Sequence, residues 1–246
     1  MELQELNENS MFDSKNTIEK SEVINIWDKL VDNVFIISLK ECESRRETIK
    51  KELERIGITK YEFYIVEKDK EDTKRGCFNS HQAVSKLGLW KNYNRILVLE
   101  DDAIFIKKVE KIHKSIICLL KYISKLEFQK DDFNIFYLGH LPIGKLKKID
   151  ECIVSTKNSR YTHAYILSKS GMDSIVDLKY RNFHYDYETS FIPKQYALYP
   201  MISYQDDVVS VNDFHYFYKF LAKIRNKISC KKLCIIAEKF CYNLLF

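Results

Sequence analysis

Two hydrophobic patterns alternate along this chain. Residues 34–37, Val-Phe-Ile-Ile, and residues 96–99, Ile-Leu-Val-Leu, are unbroken apolar runs, the pattern of strands buried on both faces of a sheet. Elsewhere the apolar positions step by three and four. Ile49, Leu53 and Ile56 do so after Ser44-Arg45-Arg46-Glu47, which has the form of a capping box, and Gly57 closes the run. Val109, Ile112, Ile116, Leu119, Ile123 and Leu126 make one continuous stripe, which predicts a helix over 107–128 packed on the sheet. His113 lies beside that stripe and reads as a half-buried packing residue. A further short strand is predicted at 61–66. This alternation predicts an α/β fold with a central, mostly parallel sheet flanked by helices.

The pattern breaks most sharply after Leu99, where Glu100, Asp101 and Asp102 follow in succession. Carboxylates gather at an interior strand end only where something offsets their repulsion and desolvation, and in open α/β sheets that end is where ligands bind. A hard divalent cation is the simplest offset. Strand alternation turns Glu100 and Asp102 to one side and Asp101 to the other. The plainer reading is a solvated acidic turn that caps a helix.

Residues 67–75 form a charged loop. Gly76-Cys77-Phe78-Asn79-Ser80-His81 then opens a helix, with Asn79 or Ser80 as N-cap and His81 in its first turn, where the helix dipole disfavours a charged imidazole. Arg45 and Arg46 stand at a strand-to-helix junction suited to phosphate, although paired arginines on a first turn are commonly just solvated. His140 sits at a strand end beside Pro142, and Phe183-His184-Tyr185-Asp186-Tyr187-Glu188 mixes rings with ionisable groups, as sugar-binding surfaces do. Asp186 would otherwise simply cap a helix containing Glu188.

Composition narrows the class. At 246 residues and 46% hydrophobic content, the chain can bury one sizeable core, and its 6 Gly and 3 Pro leave no low-complexity tract. The 16 Tyr and 15 Phe make it rich in aromatics without pointing to a mechanism. Its formal charge of +5 is mild and implies no nucleic-acid partner. Seven cysteines, an odd number with no Cys-x-x-Cys pair, fit a reduced, intracellular setting. No leader-like apolar core opens the sequence, and no run approaches the roughly 18 apolar residues of a membrane span. A cytoplasmic protein is therefore expected. The boundaries are read as an N-terminal arm at 1–32, a catalytic domain at 33–213 and a basic amphipathic helical region at 214–246. That last region suits either packing on the core, the favoured reading, or peripheral contact with an anionic membrane.

The blocks Gly76-Cys77-Phe78-Asn79-Ser80-His81 and Ile96 to Ala103 together resemble the signature of glycosyltransferase family 25, which includes lipopolysaccharide-type and collagen galactosyltransferases. Phe35 to Lys40 with Arg45 and Arg46 is similar to the family's opening strand and helix, with Ser38 in place of the usual Asn. Ile135 to Gly139, Thr162 to Gly171 and the Pro-containing stretch Tyr199 to Gln205 resemble its later blocks, in the expected order. The resemblance implies a GT-A, Rossmann-like nucleotide-sugar domain with a divalent metal, usually Mn²⁺, held by the acidic motif against the donor diphosphate. It implies a UDP-sugar donor and a glycan, lipid-linked or protein acceptor.

On this reading Glu100, Asp102 and His215 are the metal ligands, with Asp206 and Asp207 as alternatives to His215. Ser38, Leu39, Arg45, Arg46, Ser80, His81 and Asp101 contact the nucleotide sugar, and Asp186, with Glu188 as substitute, is the general base of an inverting transfer. Two other classes remain: a catalytically inactive glycan-binding relative, and a two-metal phosphodiesterase using Glu100, Asp102, Asp206 and Asp207.

Overall fold

The computed structural model describes residues 26–206 and residue 235. A short helix α1 (Ile26–Leu30) precedes β1 (Asn33–Leu39), α2 (Glu43–Ile56), β2 (Glu62–Val66) and α3 (Thr73–Trp90). Next come β3 (Arg95–Glu100), β4 (Ala103–Phe105), α4 (Val109–Phe128), β5 (Ile135–Pro142), β6 (Lys147–Lys148) and β7 (Ile153–Ser155). The series ends with β8 (Ser159–Ser168), α5 (Lys169–Val176), α6 (Tyr185–Thr189), β9 (Gln195–Leu198) and β10 (Ser203–Gln205).

An eight-stranded sheet in the order β2-β1-β3-β8-β5-β9-β7-β6 forms the centre, and β10 pairs with β4 beside it. Strands β2, β1 and β3 are parallel, as are β5 and β9, while β8 runs antiparallel between β3 and β5. Alternate residues of each central strand feed two cores. Val34, Ile36, Leu97 and Leu99 face α1, α2 and α4, whereas Phe35, Ile96 and Val98 face α3 and α5. The unbroken apolar runs follow from this double burial.

The six-residue stripe is α4. Ile112, Ile116, Leu119, Ile123 and Leu126 are buried, Val109 is half-buried, and Tyr122 joins the buried face. His113 is half-buried, as its position beside the stripe implied. Gly57 ends α2 with φ 84°, a left-handed turn whose N–H reaches Glu54 O and Leu53 O, the conformation that glycine adopts without steric cost.

Four expectations are corrected. The Ser44 capping box does not form, because α2 begins at Glu43 with Cys42 as an N-cap that makes no side-chain bond. Helix α3 starts well before Gly76: Asp72 is its N-cap, accepting from the backbone N–H groups of Lys74 and Arg75. Residues 26–32 belong to the folded domain rather than to an arm, since Trp27 is buried and its indole N–H donates to Ile56 O at 2.8 Å. Uniformly reduced cysteines are not found either. Cys118 on α4 and Cys152 just before β7 form a disulfide across 34 positions, while Cys42 and Cys77 are free thiols. Of region 214–246 only residue 235 is described, and Ile235 packs against the cluster of Leu141, Tyr161, Met201 and Tyr204. Among the described residues no helix is long and apolar enough to cross a membrane.

Candidate active site

The chain leaves β1 for β2 on one side and later returns to β3 on the other, so the order β2-β1-β3 reverses direction at β1. Helices α2 and α3 consequently lie on opposite faces, which opens a crevice at the carboxyl ends of these strands, the usual ligand site of such sheets. An open cleft of about 780 Å³, counted to its mouth, occupies that place and is lined by Ser38, Leu39, Arg45, Ser80, His81 and the three consecutive carboxylates, among others.

Glu100 is the last residue of β3, and Asp101 and Asp102 form the turn into β4. The Asp101 N–H still bonds Ile37 O at 3.1 Å, so the turn is held against β1. The three side chains diverge. Asp101 accepts from Ser38 Oγ at 2.7 Å and from Arg45 at 3.2 Å. Asp102 Oδ2 accepts from Gln205 at 3.0 Å and lies 3.5 Å from Arg45. Glu100 turns towards α3 and β8, with His81 Nε2 3.4 Å and Thr162 Oγ1 3.5 Å from its Oε1.

These environments separate the carboxylates electrostatically. Burial together with the neighbouring Glu100 pushes Asp102 up to about 7. Burial also raises Asp101, against the opposing effects of Ser38 and Arg45. Glu100 goes the other way: burial would raise it, but the neighbouring His81 and His163 side chains leave it below its ordinary value. One carboxylate is thus held ionised while its neighbour resists ionising beside it.

Asp102 Oδ1 is buried without a partner. An unmatched carboxylate oxygen beside a second, ionised carboxylate is a donor set that fits a hard divalent cation. Among the described residues no group of three His, Cys, Asp or Glu is gathered to cage one, so substrate phosphates and water would complete the shell, as they commonly do for small dications. His215 and Asp207 lie outside the described residues. Asp206 is described, and its backbone N–H donates to Asp102 O at 2.8 Å.

The remaining sequence candidates divide. Arg45 stands at the cleft with its guanidinium on Asp101 and Asp102. Arg46 instead ties down its own turn, donating to Leu39 O at 2.6 Å, Lys40 O at 3.0 Å and Ser38 Oγ at 3.1 Å. Ser80 lines the cleft while its hydroxyl donates to Gly76 O. Because α3 starts at Thr73, His81 lies about two turns inside the helix. The expected dipole effect of a first turn therefore does not reach it. Asp186 is half-buried on α6, accepting from the Tyr161 N–H at 3.2 Å, and burial raises its pKa against the opposing charge of Arg160. Glu188 is fully buried and its Oε2 accepts from Arg181. His140 is fully buried against Ser159 rather than facing substrate.

Sequence reasoning gave no individual role to Tyr165, His163 or Gln205, of which Gln205 donates to Asp102 and Tyr165 meets His81 behind Glu100. Tyr165 and His163 stand in the Thr-His-Ala-Tyr block, and Gln205 ends the late strand; only the position within a block marked them. Gly139 is close-packed here too, since a Cβ at that position would run into the Ser203 carbonyl and the His163 ring.

Residues 66–189, half of the chain, match the profile of glycosyltransferase family 25, described as an LPS biosynthesis protein. This chain belongs to glycosyltransferase family 25. It is accordingly a glycosyltransferase, of a family that joins a nucleotide sugar to a glycan acceptor. No curated protein matches the chain. Among solved structures it is similar to A197 from STIV, at 13% identity over 75% of this chain and 99% of that one, with a TM-score of 0.42. It is also similar to mannose-1-phosphate geranyltransferase from Thermus thermophilus, at 8% identity over 68% and 72% of the two chains, with a TM-score of 0.44. A glycosyltransferase involved in glycosylation of the major capsid of PBCV-1 is 12% identical over 67% and 81%, with a TM-score of 0.38. Membership in the family follows from the sequence match alone.

Proposed function

We propose that this enzyme transfers a hexose, galactose or glucose, from a UDP-sugar to a hydroxyl of a glycan or glycoprotein acceptor, with inversion at the anomeric carbon. The observation that carries the reading is the buried, unmatched Asp102 Oδ1 beside Glu100 at the carboxyl end of β3. Glu100 and Asp102 would hold Mn²⁺ or a similar dication, which when bound acts as a Lewis acid for the departing diphosphate.

The protein's own groups then have distinct tasks. Ser38 fixes Asp101, Asp101 fixes Arg45, and Arg45 presents a guanidinium to phosphate oxygens at the first turn of α2. Arg46 keeps that turn in place through the carbonyls of Leu39 and Lys40. Asp186 takes the proton of the acceptor hydroxyl as the hydroxyl oxygen bonds to the anomeric carbon. The sugar–phosphate bond breaks with its electron pair leaving on UDP. A carboxylate whose basicity is raised by burial suits that role. Beside it, Tyr187 meets Phe183 at 4.7 Å in a tilted pair and Phe191 at 5.3 Å edge to face, measured between ring centroids, and both phenylalanines are exposed. Such a row of rings offers faces to the CH side of a pyranose.

The test is UDP release from a panel of UDP-sugars, with Mn²⁺ and with EDTA. Turnover of UDP-galactose or UDP-glucose that EDTA abolishes is the expected result. Absence of turnover with every nucleotide sugar, together with absence of UDP binding, would overturn the proposal.

A further inference from the structure

Behind Glu100 lies a chain of buried polar groups that no step above uses. His81 from α3, Tyr165 from β8 and Tyr185 from α6 are each at most 2% exposed. His81 Nδ1 is 2.8 Å from Tyr165 Oη, which is 2.9 Å from Tyr185 Oη. The imidazole also lies flat on the Tyr185 ring, with centroids 4.1 Å apart and planes 7° apart. Its other nitrogen, Nε2, faces Glu100 Oε1 at 3.4 Å, within ion-pair reach though too far for a well-formed hydrogen bond, and has no other partner.

We infer that Tyr185 and Tyr165 are positioning residues which hold the His81 ring so that its Nε2–H, and not a lone pair, points at Glu100. The inference rests on the proposed reading that Glu100 serves a cation. A neutral imidazole carries one N–H and one acceptor nitrogen. If only Nδ1 held the proton, the buried Nε2 would turn a lone pair towards a carboxylate oxygen, with no donor between them. With the proton on Nε2, whether Tyr165 donates to a bare Nδ1 or accepts from a protonated one, Glu100 gains a donor that orients it. Tyr165 can then accept from Tyr185, whose own hydroxyl stays in line. Second-sphere donors of this kind orient ligands and sharpen metal affinity. The same chain has a mechanical consequence: Tyr185 directly precedes Asp186, so the hydroxyl pair fastens the segment bearing the proposed base to β8, the strand paired with the one that ends in the acidic turn.

Tyr165→Phe tests this, because it deletes one buried hydroxyl and keeps the ring. Two readouts are needed. The first is the nitrogen-15 NMR pattern of the His81 ring, assigned by its loss in His81→Gln. The second is Mn²⁺ affinity, from the free-ion paramagnetic resonance signal in the presence of UDP, with circular dichroism to establish that each variant folds. The expected result is an Nε2–H imidazole in the wild type, loss of that defined pattern in Tyr165→Phe, and roughly tenfold weaker Mn²⁺ binding. Tyr185→Phe, which leaves the Tyr165 donor in place, loses less. An Nδ1–H tautomer in the wild type, or unchanged Mn²⁺ affinity in a folded Tyr165→Phe, overturns the inference. If wild-type protein shows the Nε2–H pattern but binds neither Mn²⁺ nor UDP, the proposed function fails and the tautomer assignment survives.

Discussion

Asp102 and Glu100 compete for the same field. Replacing Asp102 by Asn removes a charge that burial and its neighbour already oppose, so the fold is expected to keep or slightly raise its melting temperature. Turnover should fall roughly 10²- to 10³-fold, the scale of losing several kcal/mol of charge stabilisation. UDP release and a thermal melt on the same preparation check both halves. The two adjacent arginines give a sharper contrast. Arg45→Ala is expected to raise KM for the UDP-sugar roughly tenfold or more, as losing a charge-assisted bond to phosphate does. Arg46→Ala leaves Leu39 O, Lys40 O and Ser38 Oγ without their donor. It should instead lower stability by about 1–3 kcal/mol in urea unfolding, with a smaller change in KM.

At the scale of elements, the disulfide ties α4 to the segment just before β7. The Cys118–Cys152 link closes 34 positions around β5, a loop whose closure entropy is worth about 4 kcal/mol. Melting with and without dithiothreitol should separate by several degrees, and Cys118→Ser should match the reduced protein. Equal melting temperatures would show that the link adds nothing in solution. Strands and long helices were legible in the sequence because their signal is periodic: the doubly buried runs became β1 and β3, and the three-four stripe became α4. Helix starts were less so. Asp72 caps α3 while lying inside a charged run, and its use is fixed by Tyr180 from 108 positions away, which donates to it. That distant partner carries no local mark, so the first turn was placed too late and His81 was read at a helix end. The acidic turn was legible from its position after an aliphatic strand. The partners of each carboxylate were not, because Ser38, Thr162 and Gln205 are brought in by sheet order.

For the whole molecule, burial of neutral imidazoles contributes to the acid response. Burial pushes His140 down to about 3 and His163 to about 4. In the unfolded chain both bind protons below the ordinary value near 6.5, whereas the folded protein does not until the pH reaches the lower values. Their contribution to stability is therefore complete above about 6.5 and is lost as the pH falls through that window towards 4. Asp102, raised to about 7, has the opposite sign and gains stability as the pH falls from 7 towards its unfolded value. The two effects separate by difference: His140→Gln should lose less stability than the wild type between pH 7 and pH 5, by about 1–2 kcal/mol. Unfolding curves with parallel pH slopes would contradict the buried neutral assignment.

A crystal soaked with UDP and Mn²⁺, with anomalous data collected at the manganese edge, tests the central claim most directly. The account predicts one manganese peak bonded to Asp102, with Glu100 in its surroundings and the diphosphate on its open side near Arg45. A peak elsewhere in the molecule, or UDP bound away from the carboxyl ends of β1 and β3, would contradict it.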